Sequence, residues 1–200
     1  MQSNYDSISE AWIKNRREIS PNDLELFELF ISHLPDFPHI LDLGCGSGNP
    51  VAKFLVKRGA EITGVDRSKE LLDYAVDILP NHKWVLSDLF DYEPDSLFDG
   101  VVIWDSMFHF PREKHKKLLQ KAYNALKPSG LLILSSGGSE ENVPAFTDTM
   151  FGQTFYYDSY PVFELLELCQ VVGFNVLETK LVNKPDGERD KGRLGLVLKK

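Results

Sequence analysis

The chain has 200 residues, 22 Lys and Arg against 30 Asp and Glu, and a formal net charge of −8 at pH 7. This length predicts a single domain over 1–200, and the acidic balance argues against general binding to nucleic-acid phosphates. No apolar run approaches the roughly 18 residues of a membrane-spanning helix, and residues 1–6 do not resemble a secretory signal. We therefore expect a cytoplasmic protein that does not bind membranes.

The sequence holds two cysteines, Cys45 in a glycine-rich loop and Cys169 in a helical pattern. Two cysteines in a chain of this length are typical of a reducing, intracellular compartment, so we expect no structural disulfide. No Cys/His spacing is typical of a zinc site, and no metal is expected.

Apolar runs alternate with amphipathic helical patterns, which predicts βαβ units and a mostly parallel sheet. Two helical patterns, at 9–17 and 22–33, precede the first strand, and we expect 1–36 to form a helical cap or lid over the sheet edge. The predicted strands cover 40–43, 61–65, 83–86, 100–104, 131–134, 174–182 and 194–198. The predicted helices between them cover 51–57, 68–80, 111–126 and 163–172.

The segment 135–160 shows no clear period. Long connections of this kind are often functional, so we expect a loop or lid over the binding site. The segment is rich in aromatic residues, namely Phe146, Phe151, Phe155, Tyr156, Tyr157 and Tyr160. These rings either wall a pocket or form the core of the lid, and we expect one or two to face a ligand.

The most informative motif follows the first predicted strand and reads Asp42-Leu-Gly44-Cys-Gly46-Ser-Gly48. Glycine lacks a Cβ atom, so the backbone can adopt positive φ and approach a ligand closely. Ligands of open α/β sheets bind at the carboxyl ends of the strands, where this loop lies. Its G-x-G-x-G spacing differs from the G-x-G-x-x-G of dinucleotide-binding proteins, with Asn49 at the third glycine position. This spacing argues against a nicotinamide-dependent oxidoreductase.

Five segments resemble, in order, the motifs of the class I S-adenosylmethionine-dependent methyltransferase family. They are 42–48, 64–68, 87–89, 98–106 and 126–134. The resemblance implies a Rossmann-like, doubly wound, mostly parallel seven-stranded sheet whose last strand is antiparallel. It also implies methyl transfer from S-adenosylmethionine to a nucleophilic O, N or S, leaving S-adenosylhomocysteine, without a metal.

The residues that this resemblance assigns to cofactor binding are Asp42, Gly44, Cys45, Gly46, Gly48, Asp66, Arg67, Asp88, Leu89, Asp105 and Ser106. The glycine loop would cradle the methionine part and the ribose. Asp66 would accept hydrogen bonds from both ribose hydroxyls, while Asp88 and the N–H of Leu89 would face the adenine. Local alternatives exist, since Asp66 could cap the next helix, although Ser68 competes for that position. Asp88 could be an exposed turn residue, and Asp105 could cap the next element.

His109 is the candidate catalytic residue, because an imidazole near the fourth strand end is suited to take a proton around neutral pH. As a base it would titrate near pH 6.5. It could instead line the pocket or satisfy the start of the following helix. The residues expected to contact the substrate or form a lid are Tyr5, Trp12, Phe108, Tyr156 and Tyr157. Tyr5 and Trp12 could equally pack as part of a cap helix.

The chain has no extensive basic run and lacks the Asn/Asp-Pro-Pro-Tyr/Phe pattern of enzymes that methylate nucleic-acid bases. We therefore expect a small-molecule acceptor and a monomer or homodimer. A protein or tRNA methyltransferase that works with a partner subunit stays open. A module that binds S-adenosylmethionine without turnover is the alternative from another class.

Overall fold

The computed structural model describes residues 5–186 and 191–200. The strands in these residues are β1 (His39–Leu43), β2 (Glu61–Asp66), β3 (Lys83–Leu86), β4 (Phe98–Ile103), β5 (Leu126–Gly137), β6 (Phe146–Met150), β7 (Gln153–Tyr157), β8 (Asn175–Asn183) and β9 (Arg193–Lys199). The helices are α1 (Ser9–Asn15), α2 (Pro21–Ser32), α3 (Val51–Val56), α4 (Lys69–Ile78), α5 (His115–Ala125) and α6 (Val162–Val172).

Seven strands form one sheet in the order β3-β2-β1-β4-β5-β9-β8. Strands β1 to β5 are mutually parallel, and β9 is antiparallel to both of its neighbours. This topology confirms the predicted doubly wound, Rossmann-like sheet with an antiparallel last strand. The order reverses between β1 and β4, so their carboxyl ends open a crevice in which ligands of such sheets bind.

The central strand β4 shows why the sheet needs helices on both faces. Its residues Val101 and Ile103 belong to one buried apolar cluster, while Val102 belongs to another. Successive strand side chains point to opposite faces, so a uniformly apolar strand requires cover on both sides. Helices α5 and α6 cover the first face, and α2 and α3 cover the second.

The placement of α2 corrects our expectation that both N-terminal helices cap the sheet edge. Phe27 and Phe30 on α2 are fully buried in one cluster with Ile40, Val102 and Ile133 of the sheet. Helix α2 is therefore part of the layer on the sheet face. By contrast, α1 buries no residue fully. The difference follows from the sequence Leu-Phe-Glu-Leu-Phe in α2, which gives that helix a continuous apolar side.

The segment 135–160 is more regular than expected. Strand β5 continues to Gly137, and β6 and β7 form an antiparallel hairpin. Phe151 and Gly152 connect the hairpin strands, with φ of 49° and 78°. Two-residue hairpin turns favour positive φ at both positions and commonly use Asn-Gly or Asp-Gly. Phe-Gly lacks the first of these signals, and this is why the sequence pattern missed the turn.

Among the described residues, no helix combines the length and the apolar character required to cross a membrane. Both Cys45 and Cys169 are buried, free thiols.

Replacing Phe27 by alanine tests whether α2 is a core element. A fully buried phenylalanine lost from a core costs about 3–5 kcal/mol of unfolding free energy, because a cavity replaces its contacts. Urea unfolding should show this loss for Phe27→Ala. Phe163, which is 75% exposed on α6, is the matched control, and Phe163→Ala should stay within about 0.5 kcal/mol of wild type. Equal effects of both substitutions would contradict the position of α2.

Candidate active site

A pocket lies at the carboxyl ends of β1, β2 and β4, and α1 closes it from the other side. It encloses about 810 Å³ of space that includes the open solvent at its mouth. The predicted site residues that line it are Tyr5, Trp12, Asp42, Gly44, Cys45, Gly46, Asp66, Arg67, Asp88, Leu89, Asp105, Ser106 and His109. The fold thus gathers most of the predicted site at one sheet edge.

The glycine loop forms the floor of this pocket. Gly44 has φ of +88°, and a Cβ atom there would lie 2.5 Å from the Cβ of Ser106. Only glycine therefore allows β1 and the end of β4 to meet this closely. Ser106 itself donates a hydrogen bond from Oγ to the carbonyl of Leu43, at 3.0 Å.

Gly48 was predicted to bind the cofactor, but it does not line the pocket. Its φ is +70°, and a Cβ atom there would lie 3.0 Å from Trp84 and 3.4 Å from Ala75. The structure therefore assigns Gly48 to the packing of the loop against β3 and α4.

Asp66 connects the glycine loop to the start of α4. Its Oδ2 accepts the N–H of Gly46 at 2.8 Å, and its Oδ1 accepts the N–H of Ser68 at 2.9 Å. Burial raises the pKa of Asp66, and these N–H donors act against that rise. Ser68 caps α4 by accepting the N–H of Leu71, so the capping position is already filled. Asp66 lines the pocket, and a carboxylate has about four lone-pair sites, so it can accept further donors.

Asp88 is a half-buried pocket residue and not an exposed turn residue. Its Oδ1 accepts the N–H of Phe90 at 2.9 Å, which fixes the carboxylate at the end of β3. Leu89 follows it and is buried in the pocket wall. This pair presents one carboxylate and one apolar side chain to the same part of the pocket.

Asp42 and Asn49 each present to the pocket, among the described residues, a buried side-chain oxygen without a hydrogen-bond partner. The side chain of Asp42 is 2% exposed, and its Oδ2 finds no hydrogen-bond partner among the described residues. Burial and the neighbouring charge of Asp66 raise the pKa of Asp42 to about 8. A buried polar atom without a partner is costly unless a ligand or water satisfies it. This orphaned carboxyl oxygen, together with the glycine loop and Asp66, fits a ligand that carries hydrogen-bond donors or positive charge.

Asp105, at the end of β4, has its carboxylate occupied by protein groups. Arg16 donates to Oδ2 at 2.6 Å, Arg193 donates to Oδ1 at 2.8 Å, and Ser135 donates to Oδ1 at 3.0 Å. Arg193 also pairs with Asp23 of α2. Burial opposes ionisation, but the charges of Arg16 and Arg193 lower the pKa of Asp105 to about 2. Asp105 therefore links Arg16, which follows α1, to the end of β4. Asp105 also lines the pocket.

His109 lies in a one-turn 3₁₀ helix after β4 and is bonded through both ring nitrogens. Nδ1 lies 3.0 Å from the carbonyl oxygen of Tyr156, and Nε2 lies 2.8 Å from the hydroxyl of Tyr5. Burial lowers the pKa of His109 to about 4. The expected titration near pH 6.5 is therefore wrong, because a buried imidazole resists taking up charge.

The remaining predicted aromatic residues lie beside the pocket. Phe108 and Tyr157 stack with ring centroids 5.9 Å apart. Both line an adjoining groove that shares Tyr5, Trp12 and His109 with the pocket. Tyr156 contributes its backbone carbonyl to His109, whereas its phenol donates to Asp158 at 3.1 Å.

Several pocket residues were not predicted from the sequence, namely Arg16, Asn49, Pro50, Val51, Leu71, Ser87, Trp104 and Phe110. Arg16 matters most, because it brings a cation to the pocket from a segment with no motif. Trp104 was predicted only as part of a strand. No spacing in the sequence relates Arg16 to Asp105, which lies 89 positions away.

No group of three or more His, Cys, Asp or Glu side chains in 5–186 and 191–200 is arranged to hold a metal ion.

Comparisons with known proteins agree with this geometry. Residues 40–130 match the family described as a methyltransferase domain. Trans-aconitate 2-methyltransferase from Enterobacter sp. (strain 638) is 32% identical over 130 residues, which cover 64% of this chain and 49% of that protein. The chain thus spans about half the length of the curated relatives it matches.

Two solved structures share the fold. Burkholderia thailandensis 1,6-didemethyltoxoflavin-N1-methyltransferase, bound to 1,6-didemethyltoxoflavin and S-adenosylhomocysteine, has a TM-score of 0.73 and 19% identity, covering 98% of this chain and 83% of its own. The [4+2]-cyclase SpnF has a TM-score of 0.74 and 16% identity, and the match covers 98% of this chain and 94% of the cyclase. Residues 40–130 are therefore similar to the methyltransferase domain family, and the chain has the fold of these two structures.

The ionisation of Asp42 gives a prediction for folding stability. Its folded-state pKa of about 8 exceeds the unfolded value of about 3.9, so the protonated form favours the native state. The stability contributed by Asp42 is therefore full below about pH 4 and is lost as the pH rises towards 8. The amide in Asp42→Asn cannot ionise, so this variant should not lose stability in this way as the pH rises.

Urea unfolding of the ligand-free protein at pH 5 and pH 8 measures the effect. Between pH 5 and pH 8, wild type should lose at least about 1 kcal/mol more unfolding free energy than Asp42→Asn. Asp73→Asn, on the exposed side of α4, is the control and should follow wild type. Parallel pH profiles for Asp42→Asn and wild type would refute the raised pKa.

Proposed function

We propose that the protein transfers a methyl group from S-adenosylmethionine to a nucleophilic O, N or S of a small molecule, leaving S-adenosylhomocysteine. The observation that carries this proposal is the pairing of a glycine loop with two carboxylates, the buried Asp42 and the half-buried Asp66, in one pocket. The unpartnered Oδ2 of Asp42 supports a ligand that is cationic or rich in donors. S-adenosylmethionine has both properties, in its sulfonium, its amino groups and its ribose hydroxyls.

Each part of the pocket would hold a different part of this cofactor. Gly44 and Gly46 allow close backbone approach, and Asp66 would accept the ribose hydroxyls. Asp88 and the N–H of Leu89 would face the adenine. Arg16 donates to Asp105 through one terminal nitrogen, so its further N–H groups are suited to the cofactor's carboxylate. When bound, the cofactor supplies a methyl group activated by the sulfonium charge.

The protein's own contribution would be to position the acceptor and exclude water. Orientation of two reactants alone can supply about 7–11 kcal/mol of barrier reduction. Tyr5 packs edge-on against Trp12 and Phe155, with centroids 5.1 and 5.0 Å apart. The N-terminal segment and the β6–β7 hairpin therefore meet over the pocket. We propose that these two segments form the lid, with Phe108 and Tyr157 on the acceptor side.

The acceptor is proposed to be a small molecule, and the enzyme a cytoplasmic monomer or homodimer. The net charge of −8 supports an acceptor other than a nucleic acid. The free thiols of Cys45 and Cys169 support a reducing compartment.

The test is incubation of the purified protein with isotopically labelled S-adenosylmethionine and separate pools of metabolites, tRNA and cell proteins, with the labelled product identified by mass spectrometry. Label in a metabolite supports the proposal. Label in tRNA or protein would support the macromolecular alternative. Cofactor binding without labelled product in any pool would favour a non-catalytic binding module.

Substitution of Asp66 tests the cofactor site. Asp66→Ala should weaken binding of both S-adenosylmethionine and S-adenosylhomocysteine by one to two decades, because charge-assisted bonds to the ribose are worth about 1.5–3 kcal/mol. Isothermal titration calorimetry gives both affinities. Asp73→Ala is the matched control, since Asp73 lies on the solvent side of α4. Unchanged affinity in a folded Asp66→Ala protein would remove Asp66 from the site.

Hydrogen exchange tests the lid. With S-adenosylhomocysteine added, amides in 5–20 and 135–160 should exchange more slowly, because ligand contacts stabilise both segments over the pocket. Helix α6, which does not line the pocket, serves as the internal control. Protection confined to the glycine loop would argue against a lid formed by these segments.

A further inference from the structure

We propose that His109 selects acceptors whose nucleophile carries a hydrogen, namely aromatic hydroxyls and ring N–H groups, and that the Tyr5 hydroxyl holds this position until the acceptor arrives. The inference rests on the proposed methyl-transfer function and names the substrate class of the same site. Four observations carry it: the tautomer of His109, its burial, the surrounding rings and the charge of the pocket.

The tautomer follows from the partner of Nδ1. That nitrogen lies 3.0 Å from the carbonyl oxygen of Tyr156. A carbonyl oxygen can only accept, so Nδ1 carries the hydrogen. In a neutral imidazole, Nε2 then has one lone pair and no hydrogen. The Tyr5 hydroxyl, 2.8 Å away, donates to that lone pair.

The imidazole stays neutral because of its surroundings. Burial lowers the pKa of His109 to about 4, while Asp105 favours the charged form and Arg67 disfavours it. Asp105 is itself paired with Arg16 and Arg193, which limits its effect on the ring. Nε2 therefore remains a hydrogen-bond acceptor throughout the neutral pH range, and any group that replaces Tyr5 must donate.

The rings around this position favour an aromatic acceptor. The Tyr5 ring lies edge-on to Trp12 and Phe155. On the other side, Phe108 and Tyr157 each lie 4.9 Å from the His109 ring. Edge-to-face and offset contacts of this kind are favourable between aromatic rings. The phenol of Tyr5 thus shows the type of group that the position accommodates, a flat ring with a donor at its edge.

A carboxylate fits this position poorly. At neutral pH it has no hydrogen, so its lone pairs would oppose the lone pair of Nε2. The same pocket is lined by Asp66, Asp88 and Asp105 against Arg16 and Arg67, which adds like charge. Sites built to bond a hydroxyl reject analogues that lack it, because the buried polar group is left without a partner.

Three probes of similar shape separate hydrogen-bond donation, aromatic packing and charge. p-Cresol donates a hydrogen bond, 4-methylanisole is neutral and does not donate, and p-toluate is anionic. Each is titrated into the ¹⁵N-labelled protein saturated with S-adenosylhomocysteine, with the His109 ring nitrogens followed by NMR. We expect p-cresol to bind at least tenfold tighter than either other probe and to shift the Nε2 signal, with the hydrogen staying on Nδ1. Equal affinities, a preference for p-toluate, no binding of p-cresol or a hydrogen on Nε2 would each overturn the inference.

Tyr5→Phe tests the competition directly. It keeps the ring but removes the hydroxyl that occupies Nε2, so p-cresol should bind about three- to tenfold tighter than to wild type, the worth of one neutral hydrogen bond. Binding of 4-methylanisole should not change. Tyr74→Phe, on α4 outside the pocket lining, is the matched control and should leave both affinities unchanged. No gain for p-cresol in Tyr5→Phe would show that Tyr5 does not hold the acceptor's position.

Calorimetry with S-adenosylhomocysteine on the same samples separates the two hypotheses. Failure of the wild-type protein to bind S-adenosylhomocysteine would reject the proposed function. Binding of S-adenosylhomocysteine without a preference for p-cresol would reject only the selection of hydrogen-bearing acceptors by His109.

Discussion

The buried ion cluster around Asp105 is the interaction on which the site depends. Arg16 from the segment after α1, Arg193 from β9 and, through Arg193, Asp23 from α2 all meet at the end of β4. Removing one member of a buried ion pair costs about 3–5 kcal/mol, whereas replacing the whole set by apolar residues is often neutral. We therefore attribute to this cluster the placement of the N-terminal segment over the pocket, and not a gain in overall stability.

Asp42, Asp66 and Asp105 lie at or near the carboxyl ends of three adjacent parallel strands, yet their surroundings give them different charges. Asp105 has two arginines and its pKa falls to about 2. Asp66 has backbone N–H donors, but burial still raises its pKa. Asp42 has neither arginine nor full hydrogen bonding, and its pKa rises to about 8. One residue type thus provides a structural anion, a hydrogen-bond acceptor and a buried group with a raised pKa.

The sequence predicts most of the strand ends and loop residues that line the pocket, for local reasons. The strands 61–65 and 83–86 match β2 and β3 closely, and Asp66 ends its strand as expected. Strand period, glycine spacing and strand-end carboxylates are all encoded within a few residues of one another. Arg16 could not be found this way, because it acts through a charge 89 positions away. Tyr156 was a candidate for its side chain, but its backbone carbonyl is what bonds His109. The pKa of His109 also depends on burial that no local pattern reveals.

The residues around the pocket fall into a group inside the family match and a group outside it. The match to the methyltransferase domain family covers 40–130, which includes β1 to β4, the glycine loop and the three aspartates. Tyr5, Trp12, Arg16, Phe155 and Tyr157 lie outside that range, and they form much of the wall around His109. In the proposed function, the matched part of the fold would position the cofactor and the segments outside the match would contact the acceptor, so the substrates of relatives matched over half their length do not define this chain's acceptor. His109 lies at the boundary of these parts, since it follows β4 inside the match while Tyr5 and Tyr156, outside the match, bond its two ring nitrogens.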